Sequence, residues 1–188
     1  MKDALFTALL KHVPFDGWSD AALRRAAKEV DMDVDLARSY FPDALTMIDH
    51  HHRLTDAAMV VPQEGGVTAK VRAAILSRLA YLAPDREAVR RAVSFLALPP
   101  NLYAGTKMAY RSADAIWEAV GSHDKGFDWM TKRTSLIAVY SATLLYWMQG
   151  HEATEVEAYL DKQLDRLLRV MKPIGQLKER FKSFAAAP

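Results

Sequence analysis

The sequence predicts an all-α fold of nine or ten helices, and three observations lead to this prediction. Apolar residues recur at spacings of three and four along nearly the whole chain, as on one face of a helix. The period-two alternation of a half-buried strand is absent, and proline and glycine fall at intervals that suit helix ends. With 188 residues, 51% of them hydrophobic and 26% charged, the chain is long enough to build one core. We therefore expect a single domain over residues 1–188.

The N-terminal part, residues 1–60, is expected to resemble a helix-turn-helix unit. Pro14 should end the first helix, because proline breaks the hydrogen-bond ladder, and Ser19 is placed to cap the second. The fourth helix should end near Pro62 and the glycine pair that follows it. The predicted helices cover about residues 2–11, 19–30, 34–40 and 43–60.

The second part, residues 67–171, reads as a bundle of longer helices. Thr154 and Glu157 form a T-x-x-E motif, which predicts a capping box at the start of the last long helix. A separate amphipathic helix is expected after Pro173, over residues 173–188. The predicted bundle helices cover about residues 68–82, 85–96, 101–120, 128–149 and 154–171.

Three short helices between Ser19 and Leu45, closed by Tyr40, Phe41 and Pro42, resemble the DNA-binding part of TetR-type regulators. The alternative interpretation is that Tyr40 and Phe41 are ordinary core aromatics. Residues 16–50 carry four basic and eight acidic side chains, a net charge of −4. Because phosphate contacts dominate DNA affinity, this charge predicts a helix-turn-helix unit that binds no nucleic acid.

Motifs for catalysis or metal binding are missing from the sequence. The absence of cysteine excludes disulfides, thiolate metal ligands and cysteine nucleophiles. His50, His51 and His52 are consecutive, and neighbouring helical residues point about 100° apart, so these three cannot converge on one ion. No H-E-x-x-H, paired E-x-x-H, G-x-S-x-G or phosphate-binding glycine loop occurs. We therefore predict no catalytic residues, no metal and no cofactor.

The tail after Met171 combines an apolar face with a basic one. Four basic residues against Glu179 give it a net charge of +3, which is typical of a helix on an anionic membrane surface. The alternative is a terminal helix that folds its phenylalanines onto the core. The predicted membrane-binding residues are Ile174, Leu177, Lys178, Phe181, Lys182 and Phe184.

Four strings resemble the ubiquinone-biosynthesis accessory protein family, the ninth of the Coq proteins. They are HVPFDGWS, SYFPDALTMIDHHHRLTDAAM, LPPNLYAGTKMAYRSADAIWEAVG and FDWMTKRTSLIAVYSATLLYWMQG. The resemblance spans about residues 5–171, and its best marks are the VPFDGW turn and the block at residues 128–143. It implies a TetR-like, usually dimeric fold that binds lipid instead of DNA. It also implies assistance to the di-iron hydroxylase that modifies the polyprenylated ubiquinone precursor.

The resemblance also implies particular sites. The partner-facing patch falls on Ile116, Trp129 and Met130, and Met130 stands where eukaryotic relatives tend to carry tyrosine.

We expect helices 101–120 and 128–149 to form the walls of an apolar cavity for an isoprenoid quinone precursor or a phospholipid. The alternative interpretation is that the aromatic and methionine residues concentrated in these two helices are ordinary core residues. The candidate lipid-binding residues are Leu102, Met108, Ile116, Trp117, Ile137, Tyr140, Leu144 and Trp147.

The sequence begins without the features of a signal or transit peptide, and its longest apolar run, 14 residues from Ser135 to Met148, is too short to cross a bilayer. We therefore expect a cytoplasmic protein, peripheral at the inner face of the cell membrane and homodimeric. The second hypothesis is a TetR-type transcriptional regulator with a hydrophobic effector. An enzyme of unknown chemistry is a third, less favoured one.

Overall fold

The computed structural model describes the backbone of residues 1–121 and 127–185 and the side chains of residues 1–121 and 130–170. Over these ranges the chain forms nine α-helices and two 3-10 turns, at Ala83–Asp85 and Pro99–Asn101, and no strand. None of the helices described is long and apolar enough to cross a membrane. The helices are α1 (Lys2–Asp16), α2 (Asp20–Glu29), α3 (Val34–Tyr40), α4 (Ala44–Ala57), α5 (Val67–Leu82), α6 (Arg86–Leu96), α7 (Leu102–Val120), α8 (Phe127–Met148) and α9 (Ala153–Ala185).

The first helix is longer than predicted, because it continues through Pro14. Pro14 stands in the last turn, where the missing N–H removes a single hydrogen bond and fully buried Val13 keeps the turn packed. Gly17 closes the helix by donating its N–H to the Val13 carbonyl at 2.9 Å. Its φ of +70° lies in the region that favours glycine. The predicted end before Pro14 is therefore wrong.

Polar side chains begin the three helices that follow. Ser19 Oγ accepts the N–H of Ala22 at 3.2 Å, so the predicted cap of α2 is confirmed. Asp33 accepts the N–H groups of two residues in the first turn of α3, the second of them Leu36 at 3.0 Å. Asp43 caps α4 by accepting the N–H of Thr46 at 2.7 Å. These caps set the boundaries of α2, α3 and α4 close to the predicted ones.

The predicted capping box at the start of α9 is wrong. The carboxylate of Glu155 accepts the Glu152 N–H at 3.0 Å, so the helix begins at Ala153, one residue before Thr154. Glu157 is used elsewhere, since it accepts a hydrogen bond from the Arg72 guanidinium of α5 at 3.0 Å. A glutamate does accept the N–H of the capping residue, as the motif predicts, but it is Glu155 acting on Glu152.

The separate helix expected after Pro173 is also not observed, because α9 runs without a break to Ala185. A proline inside a helix can be tolerated with a local distortion when the rest of the helix is held. The first half of α9 is held by Val156, Leu160 and Leu164, all buried.

Two hydrophobic clusters form the interior, and α6 contributes to both. Ala88 and Ala92 of α6 pack into the first cluster, while Val89 packs into the second. Trp18 fixes α6 further by donating its indole N–H to the Ala88 carbonyl at 2.9 Å. The first cluster includes Leu5, Phe6, Leu9, Val13, Trp18, Leu23, Phe41, Met47 and Ile48. The second includes Val71, Ile75, Leu79, Ile116, Trp117, Leu136, Tyr140, Trp147 and Leu160.

Candidate functional site

A cavity of about 360 Å³ lies between α4, α5, α6, α7 and α8. Small-ligand sites commonly have volumes of about 300–1,000 Å³, so the cavity is large enough to be a binding site. It is lined by His51, His52, Thr55, Arg78, Leu82, Val89, Ala92, Val93, Leu96, Ala97, Leu102, Gly105, Thr106, Ala109, Tyr110, Ser112, Ile137, Tyr140, Ser141 and Leu144.

The mouth of the cavity is at the connection between α6 and α7. Of the lining residues, which all lie in the described part of the chain, only Ala97, Leu102 and Thr106 are exposed. Leu82 and Val89 are buried and form part of the deeper apolar wall. The cavity is therefore a mostly apolar pocket that opens where α6 ends and α7 begins.

Arg78 places a charge in this apolar wall, with only 1% of its surface exposed. Its guanidinium forms an ion pair with Asp56 and donates to Ser112 Oγ at 3.2 Å. Ser112 Oγ also lies 3.1 Å from Asp56 Oδ1, which accepts its hydroxyl proton. A buried charge is tolerated when it is paired and hydrogen-bonded in this way. Arg78 and Ser112 therefore contribute polar groups to the wall, and Asp56 balances the charge of Arg78 from behind it.

His51 and His52 add two neutral imidazoles to the same wall. Burial, with a smaller contribution from nearby positive groups such as Arg78, lowers the pKa of each from the ordinary 6.5 to about 4. Both rings are therefore uncharged at neutral pH. His51 Nε2 and His52 Nδ1 are buried without a hydrogen-bond partner among the described residues. His51 Nε2 lies 3.9 Å from the Asp85 carboxylate, which does not line the cavity, so His52 Nδ1 is the better candidate for a hydrogen bond with a ligand or a water.

The three consecutive histidines have different neighbours. His50 packs edge-on against Phe6, with ring centres 4.7 Å apart, whereas His51 contacts Trp18 at 5.6 Å and His52 lines the cavity. Over the described ranges, no group of three or more histidine, cysteine, aspartate or glutamate side chains is arranged to hold a metal ion.

Four of the eight candidate lipid-binding residues line the cavity. Leu102 lies at its mouth, and Ile137, Tyr140 and Leu144 form one face of α8 toward it. Their spacing of three and four places them on the same side of the helix. Both α7 and α8 therefore supply part of the cavity wall, and lipid binding by these residues stays a prediction.

The other four candidates do not line the cavity. Met108 is two residues from both Thr106 and Tyr110, about 200° around the helix, and packs into the first cluster. The remaining three are buried in the second cluster, outside the cavity lining: Ile116, Trp117 and Trp147.

Half of the cavity wall comes from helices that sequence reasoning did not consider. The missed residues lie on α4, α5 and α6 and include His51, Arg78 and Val93. One signal was present in the sequence. Arg78 follows Val71 and Ile75 at helical spacing, so it interrupts the buried stripe of α5 with a charge.

The predicted partner patch is only partly at the surface. Met130 is 55% exposed, in keeping with a contact residue, but Ile116 is fully buried and cannot meet a partner in this conformation. The side chain of Trp129 lies outside the described residues. The same holds for the six predicted membrane-binding side chains, whose backbone is part of α9: Ile174, Leu177, Lys178, Phe181, Lys182 and Phe184.

Basic residues of the helix-turn-helix unit are engaged by its own carboxylates. Arg38 of α3 donates to both oxygens of Asp20, at 2.9 and 3.1 Å, and Arg24 donates to the same carboxylate at 2.6 Å. Hydrogen bonds from Arg38 and then Arg24 hold the pKa of Asp20 at about 2. Phe41 is fully buried against Phe6, with ring centres 5.5 Å apart, so it is a core aromatic.

The architecture defines the class of fold. The chain is similar to a TetR transcriptional regulator from Nitrosomonas europaea, with a TM-score of 0.71 and 17% identity over 89% of this chain and 98% of that one. It is also similar to a TetR-family regulator from Streptomyces coelicolor, with a TM-score of 0.54 and 14% identity over 99% and 97% of the two chains. The predicted all-α, TetR-like fold is confirmed.

Sequence comparison shows similarity to one family. Residues 102–171, from the start of α7 into α9, match the COQ9 family model. The human ubiquinone biosynthesis protein COQ9 is 28% identical over 79% of this chain and 51% of its own length. The rat protein of the same name is 25% identical over 93% and 61%, and the probable Dictyostelium discoideum coq9 is 26% identical over 90% and 60%. The chain thus spans about half to three fifths of these relatives, and the predicted resemblance to the ninth Coq protein is confirmed.

Proposed function

We propose that this chain is a lipid-binding accessory protein of ubiquinone biosynthesis. In this proposal it holds an isoprenoid quinone precursor or a phospholipid and presents it to a di-iron hydroxylase at the membrane surface. This chain would then supply the ligand, and the hydroxylase would carry out the reaction. The relatives are named as ubiquinone biosynthesis proteins, which supports the pathway.

The observation that carries the proposal is the apolar cavity behind Leu102. Residues 102–144 of its wall fall inside the part of the chain that matches the COQ9 family model. Burial of apolar surface contributes roughly 25 cal/mol per Å², so about 300 Å² of a bound isoprenoid would contribute about 7 kcal/mol before ordering costs. An apolar pocket of this kind favours a lipid over a polar metabolite.

The cavity wall also has polar groups that suit a lipid with an oxygen-bearing end. The Arg78–Asp56 pair is neutral overall, and the neutral rings of His51 and His52 have unpartnered nitrogens. Such groups can exchange hydrogen bonds with a hydroxyl or carbonyl oxygen.

The remaining parts of the proposal concern assembly and location. We propose a homodimer that is peripheral at the cytoplasmic face of the cell membrane, with the α9 tail on the lipid surface. The hydroxylase would contact Trp129 and Met130, and the 55% exposure of Met130 supports this patch.

The test is native mass spectrometry of the purified protein, followed by organic extraction of whatever co-purifies. We expect a bound lipid in the wild type. The variant Ala109→Phe, which fills the cavity, should lose most of it. Ala138→Phe, the same change at an exposed position of α8, is the control and should retain the lipid. A wild type without lipid, or equal occupancy in both variants, would contradict the proposal.

A TetR-type regulator with a hydrophobic effector is the second candidate, favoured by the fold alone. The net charge of −4 over residues 16–50 and the pairing of Arg38 with Asp20 argue against it. Salt-dependent binding of the purified protein to duplex DNA would support the regulator, and its absence would leave the accessory role.

A further inference from the structure

A short turn at the mouth of the cavity exposes a dense group of apolar side chains. Residues 97–103, here called the rim turn, join α6 to α7. Within it, Leu98 is 51% exposed, Leu102 is 52% exposed and Tyr103 is 82% exposed, and Pro99 and Pro100 are exposed as well. Large apolar side chains clustered at a surface indicate a contact with something apolar.

The rim turn is held in place by contacts beneath it. Asn101 donates its side-chain N–H to the Phe95 carbonyl at 2.9 Å and its backbone N–H to the Leu98 carbonyl at 2.8 Å. Behind the turn, α7 approaches α6 so closely that a Cβ on Gly105 would stand 3.2 Å from the Cβ of Leu96. Leu98 and Tyr103 are therefore presented outward by a fixed backbone and do not sit on a loose loop.

The rim turn and the cavity share residues. Ala97 and Leu102 belong to the turn, line the cavity and are exposed. An apolar surface therefore continues from the outside of the molecule into the pocket. A ligand that passes this way need not cross a polar barrier.

The segment that contains the rim turn has basic residues but no acidic ones. Between Glu87 and Asp114 the chain has no acidic residue and carries four basic ones: Arg90, Arg91, Lys107 and Arg111. Arg90 and Arg91 pair with Glu87, and Arg111 pairs with Asp49, so most of this charge is compensated by acids from outside the segment. The segment itself offers no carboxylate to repel lipid phosphates, and apolar insertion is the main expected attraction.

We propose that the rim turn inserts into the surface of a lipid bilayer and brings the cavity mouth against the membrane. Leu98, Leu102 and Tyr103 enter the interfacial region, and a lipid passes between bilayer and cavity along the shared apolar surface. The passage of lipid rests on the proposed function, whereas the insertion of the turn can be measured without it.

The absence of cysteine permits a site-specific test on the full chain. Single variants Leu98→Cys, Tyr103→Cys and Val60→Cys are labelled with an environment-sensitive fluorophore. Val60 is the control, since it is 71% exposed and outside the cavity lining. The labelled proteins are mixed with phosphatidylcholine vesicles, with and without phosphatidylglycerol.

We expect a blue shift and quenching by quencher-bearing lipids at positions 98 and 103, and no change at position 60. An equal response at positions 103 and 60 would overturn the proposal, as would no response at position 103. A signal at position 103 that rises with protein concentration alone would also overturn it, because the occupant would then be a second copy of the chain.

A second measurement follows lipid uptake from the same vesicles by mass spectrometry. Tyr103→Glu should slow uptake about tenfold or more, because the aromatic ring proposed to enter the bilayer is replaced by a charge, while Val60→Glu should not slow it. Uptake by Tyr103→Glu at the wild-type rate would overturn the role in transfer. If position 103 inserts but no protein takes up lipid, the membrane contact stands and the proposed function fails.

Discussion

The guanidinium carbon of Arg78 lies 5.1 Å from the ring centre of Tyr140, so a charge on α5 rests over an aromatic ring on α8. Both residues line the cavity, and the contact connects two helices of its wall. A desolvated cation over an aromatic face can contribute about 2 kcal/mol. Together with the ion pair to Asp56, this contact makes Arg78 part of the support of the cavity as well as part of its lining.

Replacing Arg78 should destabilise the folded protein, because the carboxylate of its partner Asp56 would remain. We expect Arg78→Met to lower the free energy of unfolding by about 3 kcal/mol, since the largely buried Asp56 carboxylate would keep only the Ser112 hydroxyl and the more distant Arg111 guanidinium, at 3.7 Å. Urea denaturation measures the change. The double variant Arg78→Met/Asp56→Asn should recover part of the loss. A double variant no more stable than the single one would contradict this explanation.

Gly105 sets the distance between α6 and α7. A Cβ there would lie 3.2 Å from the Leu96 Cβ and 3.4 Å from the Leu96 carbonyl oxygen, so Gly105→Val should destabilise the protein by about 1–3 kcal/mol through overpacking. Ala80→Val, at an exposed position of α5, measures the smaller cost of valine in a helix, about 0.5 kcal/mol. Because valine is a better helix former than glycine, a Gly105→Val variant that is as stable as the wild type or more stable would show that the close approach does not matter.

Stability should fall in mild acid because of the two buried histidines. The pKa of His51 and of His52 is about 4 in the folded chain against 6.5 in the unfolded one, so the unfolded chain binds more protons between these values. The free energy of unfolding therefore decreases as the pH falls from about 6.5 to about 4, by up to about 3 kcal/mol per histidine. Denaturation midpoints over this range, with His52→Gln less pH-dependent than wild type, check the prediction.

A substitution at Met130 tests the proposed partner patch, because Met130 is the exposed residue of the patch whose side chain the structure describes. We expect Met130→Asp to weaken binding to the purified di-iron hydroxylase about tenfold or more, because a 55% exposed apolar side chain would become a charge in the contact. Isothermal calorimetry measures the affinity. Val67→Asp, at a position that is also 55% exposed, is the matched control. Unchanged affinity in Met130→Asp would remove this residue from the interface.

Most of the helix boundaries could be predicted because they are encoded locally. The Ser19 cap of α2 and the ends of α3, α5 and α7 follow from caps and periodicity. Pro14 and Pro173 led to wrong helix ends, because a proline removes one hydrogen bond and clashes locally, while buried side chains elsewhere in the same helix, such as Val13 in α1 and Leu164 in α9, hold the helix as a whole. The competition between these effects depends on tertiary contacts that a local motif does not contain.

The cavity was harder to predict than the fold. Counting aromatic residues pointed to α7 and α8, and half of the residues chosen on those helices do line the pocket. Trp117 and Trp147 fill the core instead, because a large side chain is at least as useful for packing as for binding. The opposite wall, with Arg78 and His52, required α4, α5 and α6 to be brought beside α8, which no local pattern specifies.

The low pKa values of His51 and His52 bear on whether ligand binding is accompanied by proton uptake or release. At neutral pH, His51 and His52 are already deprotonated, and the arginine in the wall keeps its proton at any accessible pH. A ligand that enters the cavity therefore meets no group ready to take up or release a proton. The measured enthalpy of binding should then be the same in buffers with very different ionisation enthalpies.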